Sequence, residues 1–84
     1  WDQASFSLQV KAFRSEREAS IFLDDLDQAW PNLPTRLLTG TSRGRPIYRV
    51  LLGAFESRDE AKVVRQEFMN KYGKRDKPFI KKIK

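Results

Sequence analysis

The chain has 84 residues and contains no histidine and no cysteine. The usual proton carrier at neutral pH, the commonest metal ligand and the thiolate are therefore missing together, and no disulfide can form. Three carboxylates crowd at Asp24, Asp25 and Asp27. They fall in a helical stretch, where sequence neighbours point to different sides, so they read as a solvated acidic face rather than a metal site. No Gly-rich phosphate loop and no paired-carboxylate pocket is visible, so no enzyme, metal or cofactor is expected. The remaining chemistry is recognition. On one predicted strand Ser7, Gln9 and Lys11 point away from the apolar face; on another, Ile47, Arg49 and Leu51 do. Glutamine offers amide donors and an acceptor, and arginine a planar fork of donors. Taken singly, Gln9 reads as a solvated polar position and Arg49 as the partner of a nearby carboxylate. Two apolar side chains, Ile47 and Leu51, turned outward together mark a contact surface.

Charge adds to this. The net charge is +6, and all of it lies in the last fourteen residues. Lys71, Lys74, Arg75, Lys77, Lys81, Lys82 and Lys84 face Asp76 alone there, whereas residues 1–70 balance. Such a segment draws anionic polymers, or else it solubilises one end and blunts an edge strand with lysine.

The elements that position these residues follow from an internal repeat. Phe6 to Ala19 is echoed 42 residues later by Tyr48 to Ala61. Ala12, Phe13, Ser15, Glu18 and Ala19 recur as Ala54, Phe55, Ser57, Glu60 and Ala61, and Phe22, Leu26 and Trp30 correspond to Val64, Phe68 and Tyr72. Phe6 to Phe13 and Ile47 to Phe55 alternate as half-buried strands. Ser15-Glu16-Arg17-Glu18 and Ser57-Arg58-Asp59-Glu60 are capping boxes that open helices. The first helix ends at Trp30-Pro31 and the second at Gly73. A weaker strand is predicted at Pro34 to Thr39, a polar loop from Gly40 to Pro46, and a last basic strand from Pro78 to Ile83.

The order β-α-β-β-α-β predicts an α+β fold of the ferredoxin or RNP type, a four-stranded antiparallel sheet with two helices packed on one face. The two repeated strands should be central and antiparallel. Residues 1–5 read as linker or strand start and 6–84 as one domain. No apolar run approaches a membrane span and no signal peptide is visible. A chain that begins at Trp1 reads as a processed or excised piece, with any membrane attachment supplied from outside it.

Two segments resemble the SPOR domain, the sporulation-related repeat of bacterial envelope and division proteins. Leu8-Gln9-Val10-Lys11-Ala12-Phe13 resembles its first strand except at Lys11, where the family has glycine. Tyr48-Arg49-Val50-Leu51-Leu52-Gly53-Ala54-Phe55 resembles its third except that Ala54 replaces proline. The resemblance implies a peptidoglycan-binding module of the periplasm or cell envelope. Its preferred ligand would be glycan strands without stem peptides, and it would reach cell-wall amidases or division proteins through a parent protein. It assigns binding to Gln9 and Arg49, with Ser7, Lys11, Ala12, Ile47 and Leu51 around them and Ile80 as the apolar contact on the last strand. Two other classes share the element order: an RRM-like RNA-binding domain and a ferredoxin-like protein-interaction domain. The first requires aromatics on the exposed face of strands one and three, and the outward positions carry none, which argues against nucleic acid.

Overall fold

The computed structural model describes residues 4–74 and 77–83. Arg75, Asp76 and Lys84 of the basic segment, and residues 1–3 of the leading segment, lie outside them. The elements are β1 (Phe6–Phe13), α1 (Glu16–Ala29), β2 (Thr35–Ser42), β3 (Arg45–Phe55), α2 (Arg58–Tyr72) and β4 (Phe79–Lys82). They form one antiparallel sheet in the order β2-β3-β1-β4. The repeated strands β1 and β3 are the central pair, as the pseudo-twofold required.

Both helices start as their sequences dictate. The Oγ of Ser15 accepts from the Glu18 amide and that of Ser57 from the Glu60 amide, each at 3.3 Å. In α2 the Glu60 carboxylate reaches back to accept from the Glu56 amide. At the other ends, the amides of Trp30 and Gly73 close the last turns on Leu26 and Met69. Repeat partners hold equivalent places: Ala19 and Ala61 are both fully buried, as are Leu26 and Phe68. Small residues at the helix starts let the helices approach the sheet, where Leu8, Val10, Val50, Leu52 and Phe55 form the facing layer.

Aromatic rings bridge the two helices. Trp30 stacks on Phe68 at 6.1 Å, Phe22 meets Phe68 edge-on at 6.3 Å, and Phe68 lies 4.7 Å from Tyr72. The Trp30 indole N–H donates to Glu67, so its polar tip is satisfied at the edge of the core. Burial, and after it the nearby Asp25 carboxylate, raises the pKa of the Tyr72 phenol.

The β2–β3 connection differs from the expected seven-residue loop. The strands run on to Ser42 and Arg45, leaving only Arg43-Gly44 between them. Both turn residues have positive φ, 55° and 75°, the hallmark of the type I′ turn whose twist matches a hairpin. Arg14 Nη1 donates to the carbonyls of Ser42 and Pro46 at 3.1 and 3.2 Å, holding the hairpin tip against the end of β1.

Candidate functional site

The helices cover one side of the sheet, and directly paired residues share a side. Register therefore defines the open face. β1 contributes Ser7, Gln9 and Ala12; β3 contributes Ile47, Arg49 and Leu51; β2 contributes Arg36, Leu38 and Gly40; β4 contributes Phe79 and Lys81. Gln9 pairs with Leu51 on one side and Phe79 on the other, and Ala12 pairs with Arg49. The structure thus brings Gln9, Ala12, Ile47 and Arg49 onto one surface.

Strict alternation puts Lys11 on that surface too, but the structure does not. β1 carries an extra residue between Gln9 and Lys11, which throws Lys11 opposite Val50. A bulge of this kind shifts the phase of every later side chain. Lys11 turns to the helix side, its Nζ 5.4 Å and 5.7 Å from the ring centroids of Phe13 and Phe22, and Ala12 takes the open-face position.

Ile80 is likewise on the other side. It pairs with Leu8 and packs against the core. The open-face residue of β4 is its neighbour Phe79, 53% exposed. That aromatic was not anticipated. β1 and β3 themselves place no aromatic on the open face.

Two further expectations change through burial. Leu51 faces the open side by register yet is only 1% exposed, and Ser7 is 0% exposed. The Ser7 hydroxyl donates to the Gly53 carbonyl at 2.6 Å, so it is committed inside the sheet. Neither offers surface to a ligand. The half-exposed apolar groups of the face are instead Ile47 and, from β2, Leu38.

Arg49 is positioned by an absence. A Cβ built on Gly40 would lie 2.8 Å from its Nη1, so the guanidinium extends over the bare backbone of β2. The charge pattern agrees with an anion-facing surface. None of the four strands contains Asp or Glu, and their open-face positions hold Arg36, Arg49 and Lys81, whereas Lys11 and Lys82 fall on the helix side. In contrast α1 holds Glu16, Glu18, Asp24, Asp25 and Asp27 against Arg17 alone. Among the described residues, no group of three His, Cys, Asp or Glu side chains is placed to hold a metal, and no helix is long and apolar enough to cross a membrane.

This sheet resembles a solved one. The SPOR domain of RlpA from Pseudomonas aeruginosa superposes with a TM-score of 0.78 over 92% of this chain and 97% of that one, at 21% identity. No curated protein matches the chain significantly. The sequence profile of the SPOR domain matches residues 2–81, which takes in both repeat units, all four strands up to Lys81 and every residue of the open face. The chain belongs to the SPOR domain family.

Proposed function

We propose that this SPOR domain is a non-catalytic module that binds the glycan strands of peptidoglycan on its open sheet face. It prefers strands stripped of stem peptides and so carries a parent protein to the cell wall or division septum. Membership of the family supports the wall as partner. The observation that carries the reading further is the Arg49 guanidinium laid over Gly40 on a sheet without a single carboxylate.

The chemistry fits the preference. Removing a stem peptide exposes a carboxylate on alternate sugars of the strand, beside N-acetyl groups and hydroxyls. A guanidinium matches a carboxylate with two parallel charge-assisted hydrogen bonds. The Gln9 amide donates to an acetyl carbonyl and accepts from an N–H or hydroxyl. Ile47 and Leu38 cover the apolar face of a sugar ring. A strand still bearing its peptides offers Arg49 no carboxylate at this point and crowds a shallow face. The reading places the module in the periplasm or cell envelope, meeting amidases and division proteins through its parent.

The test is co-sedimentation with purified sacculi before and after amidase treatment, for the wild type and for Gln9→Ala/Arg49→Ala. Stronger pelleting after treatment, lost in the double variant, is expected. Equal pelleting on both substrates would refute the preference, and no pelleting on either would refute the function.

A further inference from the structure

Ile21, Val63 and Phe79 are large apolar side chains left exposed on the surface. Two of them, Ile21 and Phe79, lie on either side of one margin of the sheet. On the helix side a hollow of about 540 Å³ is lined by Lys11, Phe13, Glu18, Ile21, Phe22 and Asp25. Its floor is aromatic, with the Phe13 and Phe22 rings 5.6 Å apart and the Lys11 ammonium lying over both. Ile21, beside them, is 55% exposed. Glu18 and Asp25 are also exposed. They stand seven residues apart on α1, about 10 Å along the helix axis.

The sheet side of the same margin carries the opposite pattern. Phe79 is exposed, with Lys77 two residues before it and Lys81 two residues after. Register puts Phe79 and Lys81 on the open face, and Lys77 lines a second hollow together with Phe79. In extended chain the two lysines are at most about 13 Å apart. Lys11 lines this hollow as well as the first, so the two patterns adjoin.

An aromatic ring between two cations matches an aromatic hollow between two carboxylates. We propose that the hollow receives Phe79 of a second copy of this chain, in a closed twofold dimer. The ring enters over Phe13 and Phe22, Lys77 and Lys81 meet Glu18 and Asp25, and Ile21 is covered at the rim. The volume lies within the range of about 300–1,000 Å³ for small-molecule sites, ample for a phenyl ring. A twofold contact is self-complementary, each copy giving the group that it also receives. Adjoining patterns permit this, whereas patterns at opposite ends would run head to tail in an open chain. The contact leaves the β2 flank of the open face uncovered, so a pair presents two such faces, and linked sites bind more tightly than single ones.

The test is sedimentation velocity of the purified chain over a range of concentrations, with every variant checked for an intact amide NMR spectrum. The wild type should dimerise with a dissociation constant on the order of 0.1–1 mM, the scale of a small transient contact. Its Ile21 and Phe22 amide resonances should move with protein concentration. Phe79→Ala should weaken the dimer at least about tenfold, since each pair loses two anchors. Two charge reversals complete the test: Glu18→Lys/Asp25→Lys and Lys77→Glu/Lys81→Glu. Each alone should be monomeric, because it sets like charges across both contacts. An equal mixture of the two should dimerise again, because both contacts are then matched. Both variants keep a net positive charge, so gross attraction does not explain that recovery. A wild type that stays monomeric throughout would overturn the proposal and leave the hollow to a different partner. A dimer indifferent to Phe79→Ala and to both reversals, or a mixture that stays monomeric, would overturn it as well.

Discussion

Replacing Gly40 by alanine should weaken ligand binding without weakening the fold. Gly40 lies in β2 opposite Ile47, and it is not among the positive-φ glycines, so alanine fits its backbone. Alanine there reduces the freedom of the unfolded chain and is expected to stabilise by up to about 1 kcal/mol. Its methyl group, however, would stand 2.8 Å from Arg49 Nη1, closer than such contacts occur. The backbone has no reason to move, because the obstructing atom is the end of a flexible side chain. The guanidinium swings instead, and one of its two amino groups leaves the place from which it meets a carboxylate. A charge-assisted hydrogen bond is worth about 1.5–3 kcal/mol, so Arg49→Ala should cost about 10- to 100-fold in affinity. Gly40→Ala, which forfeits part of that geometry, should cost about fivefold. Titration calorimetry against amidase-generated glycan strands measures the affinity and a thermal melt the stability. Wild-type affinity in Gly40→Ala, with binding lost in Arg49→Ala, would show that the bound guanidinium does not lie over β2. A fall in stability would refute the account of the strand.

Three other outcomes are expected. Ser7→Ala should lower stability by about 1–2 kcal/mol through loss of a buried hydrogen bond, visible as a drop in Tm of several degrees, and leave glycan affinity unchanged. A changed affinity would return Ser7 to the binding surface. Gly53→Ala should cost about 2–4 kcal/mol in denaturant unfolding, because Gly53 has φ 82° and an added Cβ would fall within the Phe55 ring. Alkaline stability should decline through Tyr72. Its pKa is higher in the folded state, so the stability it contributes is complete below its ordinary value near 10 and is lost as pH rises through the folded value. Tyr72→Phe should remove that part of the decline in a pH series of melts.

Much of this could be read from residue types alone. Two capping boxes, two alternating strands and an internal repeat dictated the element order, the central pair and the helices on one side. The open face was legible through Gln9, Ile47 and Arg49, whose alternation survives. Three things were hidden. The bulge before Lys11 adds one residue to one strand, and a period of two carries no mark of where it slips. Arg43-Gly44 lacks the Asn or Asp that signals a type I′ turn, so the segment from Gly40 reads as a loop and Gly40 is hidden as part of the face, while Leu38, inside the predicted strand, is assigned to the face only by its pairing with Arg49. β4 has only four residues, Phe79-Ile80-Lys81-Lys82, and either apolar side chain suits the core; only its pairing with β1 decides. Leu51 shows a different limit, since orientation follows from register but exposure depends on the neighbours.

The separation of charge between strands and α1 has a consequence for how the domain first meets the wall. A body whose open sheet face holds cations and no carboxylate, while α1 across the molecule holds five carboxylates against one arginine, experiences a torque near a polyanion. It turns before it touches. A module tethered to a parent protein must otherwise find its orientation by random tumbling at each encounter, and most collisions are wasted. Here the field does that work within roughly a Debye length, about 8 Å at physiological salt. Capture then becomes a translational search alone, while retention is left to the few side chains that make contact.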